Sequence, residues 1–574
     1  MIKLRRFLRD YKLQLIVGPL CKLFEAVLEL FAPLVMAQII DNGILKNNTD
    51  YVLKMGAVLV LIGVVGLGSA LVCQYMASYT SQGAGTKIRS ALLKHIGTLS
   101  HKELDKLGAP ALITRMTSDI NAVQANVAMV MRLLLRAPFL IIGALVMACF
   151  IDLSLSLIFF AAAAAIGVIL YLVMTRSLPF YKKIQSILDR ISLLTRENLE
   201  GSRVIRAFSK QKAQEESFDR ETERMEKTAL RVGRLSALLN PATYLVAYTA
   251  VALILWFGGA RVNGGSLLSG DIIALTSYMT QILLAMIVLA NLVVLLSRGS
   301  ASASRINEVF ETEPSVRELS DKEVQPILSA PKLEFRDVSF TYGDGDNELE
   351  KLGFSIERNT FVGIIGATGS GKSTLLSLIM RFYDASSGEI LLDGHNVKSY
   401  PFTQLRSSIG VVPQKSTLFS GTVRSNMKWQ DENAADEEIW DALRTAQADS
   451  FIDSLDKTVS QGGMNFSGGQ RQRLCIARAL VGDPELLILD DSFSALDFAT
   501  EKALRQALLS RRDRTLIVVT QRCSTIAEAD KILVLEDGTL VGEGTHRELF
   551  EGCSAYREIC LSQLKAEEAR DENR

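Results

Sequence analysis

The sequence predicts an all-α membrane domain followed by an α/β domain. Three observations predict it. Six apolar stretches in the first half are long enough to cross a bilayer. Two cytoplasm-facing segments between them keep helical periodicity. The second half alternates apolar, β-rich runs with glycine-rich turns and amphipathic stretches.

The chain has 574 residues, enough for several domains. Hydrophobic residues make up 48% of it, crowded into the first half. Lys+Arg and Asp+Glu are both 63, so the net charge is zero and nothing points to a nucleic-acid partner. The 7 cysteines are scattered without metal or redox spacing, which fits free thiols in a reducing compartment. The 4 histidines are isolated, which argues against a zinc site.

A hydrocarbon core of roughly 30 Å needs about 20 helical residues. Spans are expected near 15–40, 53–77, 133–151, 153–174, 242–263 and 272–296. The basic start "MIKLRRFLRDYK" runs into an apolar stretch too long for a cleaved signal peptide, so it reads as a retained span. The turns "DNGILKNNTD", "FIDLS" and "RVNGGSLLSGD" hold few Lys or Arg, whereas segments 78–132 and 175–241 are rich in both. The positive-inside rule therefore places both termini and both long segments in the cytoplasm, in a cell (inner) membrane. Each long segment reads as two helices joined near "LDKLGAPALITRM" or "NLEGSRVIRAFSKQ". Those turns fit either a solvated loop or a lever against another domain. Lys22, Glu25 and Glu29 share one face of span one. They face an interior or wet cavity, or else lie at headgroup level. Gln281 and Asn291 in span six line a cavity or bond to a neighbouring helix. The expected organisation is a membrane domain at 1–307, a charged, proline-containing linker at 308–331, and an α/β domain at 332–574.

After the linker, "FVGIIGATGSGKSTLLSLIM" takes an apolar run into Gly366, Thr368, Gly369, Ser370, Gly371, Lys372, Ser373 and Thr374, then an apolar helix. This is the phosphate loop G-x-x-x-x-G-K-[ST] in its strand–loop–helix setting. Glycines let backbone N–H groups wrap phosphate oxygens, and the helix start adds partial positive charge. Lys372 would reach the β and γ phosphates of ATP, and Ser373 would ligate Mg2+. A second apolar run, Leu486 to Leu489, ends at Asp490, placed to hold the magnesium through water. In "NFSGGQRQRLCIARAL", Ser467, Gly468 and Gly469 open a helix whose bare amides form another anion site. It is either a grip on a γ-phosphate supplied by another subunit or a plain glycine-rich cap.

With these motifs in this order, the chain resembles an ABC exporter half-transporter over nearly its whole length. The resemblance implies that Tyr342 stacks on adenine and that Gln414 senses magnesium and γ-phosphate. It also implies that Phe466, Ser467, Gly468, Gly469 and Gln470 form the signature motif, with Phe in place of Leu. Ser494–Asp497 corresponds to the D-loop, and the two cytoplasmic turns to coupling helices docking on nucleotide domains. The family follows the Walker B Asp with Glu, where this chain has Asp491, and carries a switch His where this chain has Gln521. Losing one methylene sets the carboxylate back by more than about 1 Å, and misplacement on that scale can cost about 100-fold in rate. Glutamine still donates a hydrogen bond but cannot become cationic. The expectation is a degenerate site that holds ATP and hydrolyses it poorly. A heterodimer with a second half-transporter follows, in which this chain's signature completes the partner's site in trans, as in multidrug exporters. The partners would be membrane lipids and a small hydrophobic or amphipathic substrate, with lipophilic drugs, lipids and peptides all open. A homodimeric exporter with slow hydrolysis, or an ATP-gated channel or regulator, stays open on sequence alone.

Overall fold

A computed structural model of the chain describes residues 3–318, 322–343, 348–511 and 513–571. Three residues of the expected linker, 319–321, and the last three of the charged tail lie outside the described residues. The chain divides into two compact units, Met1–Gly97 with Ala109–Glu311, and Thr98–Gly108 with Thr312–Arg574.

The first unit is built on six long helical stretches: Leu4–Ile44, Thr49–Ile96, Ala109–Ile151, Leu153–Glu200, Gln211–Asn263 and Ser269–Glu311. At 41 to 53 residues each is about twice what a bilayer requires, so each carries a polar extension beyond its apolar part. All six are long and apolar enough to cross a membrane, which makes this a multi-pass membrane protein. The tight turn between the third and fourth is set by Asp152, whose carboxylate accepts from the Ser154 and Leu155 amides at 2.8 and 2.9 Å. Arg261 reaches the same carboxylate from the fifth span. The first and sixth spans close on each other through Asp41, which accepts from the Gly270 amide at 2.8 Å. Any Cβ at Gly270 would lie 2.4 Å from the Ala37 carbonyl, so only glycine allows this approach. Tyr278, fully buried, donates to the Leu30 carbonyl at 2.7 Å and continues the same seam inward. The two long connections each hold a short helix, His101–Leu107 and Ser202–Ala207, where the residue pattern reads as a turn and the family resemblance implies a coupling helix.

The second unit contains twelve strands in the described residues. In chain order they are β1 (Leu333–Phe340), β2 (Leu349–Ile356), β3 (Phe361–Gly366), β4 (Ser387–Leu392), β5 (His395–Asn396) and β6 (Ile409–Val412). They continue with β7 (Gly421–Thr422), β8 (Thr458–Val459), β9 (Leu486–Asp490), β10 (Thr515–Thr520), β11 (Lys531–Glu536) and β12 (Thr539–Gly544). The main sheet has the order β12-β11-β3-β10-β9-β6. It is parallel except for the edge strand β12. Its inner strands, "FVGIIG" and "TLIVVT", are buried throughout, as a sheet covered on both faces demands. Successive residues feed opposite cores: Leu487 and Leu489 go to one apolar cluster, Leu486 and Ile488 to the other. A smaller antiparallel sheet, β2-β1-β4-β5, extends the second cluster. The His101–Leu107 helix packs in this unit. His101 lies 4.2 Å, ring to ring, from Phe382, and Tyr383 donates to Asp105 at 2.8 Å.

Candidate functional site

Four adjacent parallel strands, β3, β10, β9 and β6, deliver their carboxyl ends to one edge of the main sheet. In open α/β sheets ligands bind outside those ends. The glycine-rich loop follows β3, Gln521 follows β10, Asp490 ends β9 with Asp491 next, and Gln414 lies two residues beyond β6. Residues up to about 155 apart in sequence thus share one edge because parallel strands must be joined by long crossovers.

The loop itself is shaped by Gly369 and Gly371, at φ 89° and 91°, in the left-handed region that favours glycine. Gly371 opens the helix Lys372–Ile379. Lys372 bends back and donates to the Gly366 and Ala367 carbonyls at 2.8 and 2.6 Å and to Ser370 Oγ at 3.2 Å. Its ammonium is thus held over the cradle. Ala367, Thr368 and Gly369 are exposed at the rim, Ser370 is buried, and Ser373 is exposed on the first helical turn. Thr374 is buried and accepts a hydrogen bond from Tyr342 Oη at 3.2 Å. Tyr342 is 42% exposed and meets Phe340 and Tyr383 edge-on, which leaves a ring face open.

Electrostatics at the edge follow from burial. Desolvation, with the Asp491 charge beside it, pushes the Asp490 carboxyl up to about 6 against the pull of Lys372. Burial raises Asp491 too, opposed by Ser494, Arg522 and Lys372. Burial lowers Lys372, opposed by Asp490 and Asp491. Two crowded carboxylates facing one partly desolvated ammonium call for a divalent cation and a polyanion together. The donor set therefore fits magnesium and phosphate: carboxylate and hydroxyl oxygens for the cation, amides and lysine for the anion.

Asp491 has φ 47°, left-handed for a non-glycine residue. Its backbone is pinned from both sides. Its N–H donates to the Val519 carbonyl at 2.9 Å. Its own carbonyl accepts from Ser494 Oγ at 2.9 Å and Gln472 Nε2 at 3.2 Å. Gln472, buried, also accepts from the Ala495 amide at 3.2 Å. It ties the signature helix, Gly468–Leu480, to Asp491 and to the Ser494–Asp497 turn. Gln521 is exposed. Its carbonyl accepts from Gln563 at 2.6 Å, and Gln563 also accepts from the Cys523 amide at 2.9 Å. Cys523 Sγ lies 2.7 Å from Cys560 Sγ, so the C-terminal helix Ser554–Asp571 holds the loop after β10 at two points.

The signature residues form a second face. Ser467 caps its helix, accepting from the Gln470 amide at 3.3 Å while Gln470 accepts from the Ser467 amide at 2.9 Å. Ser467, Gly468 and Gly469 line an open recess with Arg473, Leu496 and Asp497. Asp497 caps the next helix through Thr500. Phe466 is buried in the core against Phe451, so its side chain does not line that recess. Gln414 is exposed on a bend. The sequence reading missed Gln472 and Gln563. Gln472 carries a faint signal, a glutamine on the inward side of the signature helix. Gln563 sits in a polar tail and carries none.

A membrane unit of six spans joined to an α/β unit with a phosphate loop and a separate signature face defines a transport ATPase of the exporter half-transporter class. The chain belongs to the ABC transporters: it matches the ABC transporter transmembrane region over residues 15–286 and the ABC transporter domain over 349–494. It is 37% identical over 569 residues to an ABC transporter ATP-binding protein of Mycobacterium tuberculosis, covering 98% of this chain and 97% of that one. It is 36% identical over 572 residues to another from Bacillus subtilis, covering 99% of each. An ATP-dependent lipid A-core flippase of Pectobacterium atrosepticum is 30% identical over 561 residues, 96% of each chain. The fold matches a bacterial Atm1-family ABC exporter with ATP bound, at TM-score 0.78 and 23% identity over 98% of both chains.

Proposed function

We propose that this chain is the degenerate-site half of a heterodimeric exporter that moves hydrophobic or amphipathic molecules, multidrug cargo included, out of the cell. It sits in the cell membrane with both termini in the cytoplasm. Its domains follow the boundaries 1–307, 308–331 and 332–574. ATP would rest on Gly366–Thr374 and Tyr342, with Mg2+ near Ser373, Gln414 and Asp490. The metal would neutralise phosphate charge, and this chain's residues would hold and orient the nucleotide.

One observation carries the reading. Asp491 and Gln521 emerge at the ends of adjacent strands beside an intact phosphate loop. The contacts retained belong to the bound ground state. The groups lost act mainly on the attacking water and on developing charge. Binding therefore outlasts hydrolysis. A well-formed recess at Ser467, Gly468, Gly469, Gln470 and Asp497 is of most use facing a partner whose own acid and His are in place. The flippase relative, whose cargo is a lipid, supports an amphipathic substrate.

The test is ATPase activity of the purified chain alone and with its co-purifying second half-transporter. The chain alone should bind ATP and turn it over slowly, and the pair should turn over briskly. Brisk hydrolysis by the chain alone would overturn the reading in favour of a homodimer.

A further inference from the structure

We propose that Cys523 and Cys560 form a reversible disulfide on exposure to peroxide, a covalent clamp that fastens the helix Ser554–Asp571 to the loop carrying Gln521. The two thiols stand 37 positions apart, so no local motif announces them, and the fold alone brings Sγ to within 2.7 Å of Sγ. Both cysteines are free. The other buried thiols rest on backbone carbonyls instead: Cys73 on Met131, Cys475 on Thr417 and Cys553 on Val541. Cys560 donates to Cys523, and sulfur is a weak acceptor. Two such groups gain little from each other as hydrogen-bond partners, whereas the same placement suits bond formation.

The backbone around the pair is already held for closure. Gln563 accepts from the Cys523 amide at 2.9 Å and donates to the Gln521 carbonyl at 2.6 Å. Tyr556, fully buried one turn before Cys560, meets His546 Nδ1 at 2.6 Å and anchors the same helix. The seam is shallow. Cys523 lies between exposed Arg522 and Ser524, and exposed Leu561 and Ser562 follow Cys560. Burial, with Cys560 beside it, holds the Cys523 thiol well above its ordinary range, which keeps it inert while the seam is shut. Local opening of the helix wets the pair and releases a thiolate. That thiolate attacks hydrogen peroxide, giving a sulfenic acid and hydroxide. The second thiolate attacks the sulfenic sulfur, forms the S–S bond and expels another hydroxide. The hydroxides take up the two thiol protons, so two thiols and one peroxide become a disulfide and two waters. A small dithiol reverses the bond by exchange, as befits a reducing compartment, where disulfides are transient and redox-sensing.

Cys523 stands two residues beyond Gln521, so the bond removes freedom at the strand end without occupying the nucleotide site. Residual hydrolysis at this site should slow at least threefold. That effect rests on Gln521 serving the nucleotide; the clamp itself does not. The full-length chain with its partner, in phosphatidylcholine nanodiscs, is treated with hydrogen peroxide and digested with trypsin without reduction. The expected product is a linked pair of peptides, 523–531 and 558–565, which dithiothreitol separates. Closing a ring across 37 positions should raise the melting temperature by roughly 5–10 °C. Amide exchange at 521–523 should slow at least tenfold. Cys560→Ser should abolish the linked pair, the thermal shift and the added protection, and Cys523→Ala, a second variant, should do the same. Thiols still reduced after saturating peroxide, either cysteine linked elsewhere, or unaltered exchange at 521–523 overturns the clamp. Single-turnover hydrolysis is read with the partner's own site silenced. A clamp that forms while this rate stays unchanged overturns the role given to Gln521 and leaves the disulfide standing.

Discussion

Lengthening Asp491 by one methylene should speed hydrolysis at this site and weaken the fold at the same time. Its backbone cannot drift to compensate, because its N–H and carbonyl are fixed by Val519, Ser494 and Gln472. The added length in Asp491→Glu is therefore passed to the carboxylate. Recovering a displacement of about 1 Å is worth up to about 100-fold, or about 2.7 kcal/mol of barrier. The cost comes from φ 47°. Aspartate tolerates the left-handed region better than glutamate, and the exchange costs roughly 1 kcal/mol. For a domain of about 240 residues that lowers the melting temperature by roughly 2–4 °C. The assay is single-turnover ATP hydrolysis in the assembled complex with the partner's own site silenced, alongside a thermal melt. Gln521→His should add to the rate by supplying a group able to carry charge. A double variant that melts earlier yet hydrolyses no faster refutes the assignment of these two positions.

Four further outcomes follow from the structure. Asp490, raised to about 6, must lose its proton to hold a cation, so Mg-dependent nucleotide affinity should fall about tenfold per pH unit below that value in a titration. The sign reverses for the empty protein. A raised carboxyl stabilises the fold at acid pH and loses that contribution as pH climbs through 6, so Asp490→Asn should melt higher at pH 8 while losing magnesium dependence. Lys332, 1% exposed, holds Asp393 at 3.0 Å and Glu485 at 2.5 Å; Lys332→Met should cost roughly 1.5–3 kcal/mol by chemical denaturation, since it removes a buried charge-assisted hydrogen bond while Arg358 still pairs with Asp393. Gln563→Ala removes two hydrogen bonds and should cost roughly 1–2 kcal/mol, with faster amide exchange confined to residues near Gln521.

The six spans and the phosphate loop were legible because each is a local property. Hydropathy over about 20 residues marks a span, and one contiguous motif after an apolar run marks the loop. Pairings over long separation were not. Asp41 meets Gly270 across 229 positions, and neither residue advertises the other. The charges of span one show the same limit. Their shared face could be read from spacing, but only the fold shows Glu29 matched to Arg136 across 107 positions. The sequence showed a short acid at 491 but not its left-handed backbone, which aspartate tolerates and tertiary hydrogen bonds from Val519, Ser494 and Gln472 fix in place.

The grip of Gln563 and Cys560 on the strand-end loop means that the chain's tail is wired to its chemistry. Trimming the polypeptide ahead of Ser562, or adding a purification handle that tugs the last helix loose, would free position 521 without touching any nucleotide contact. Enzymology on this protein is best done with that end intact and any handle carried elsewhere.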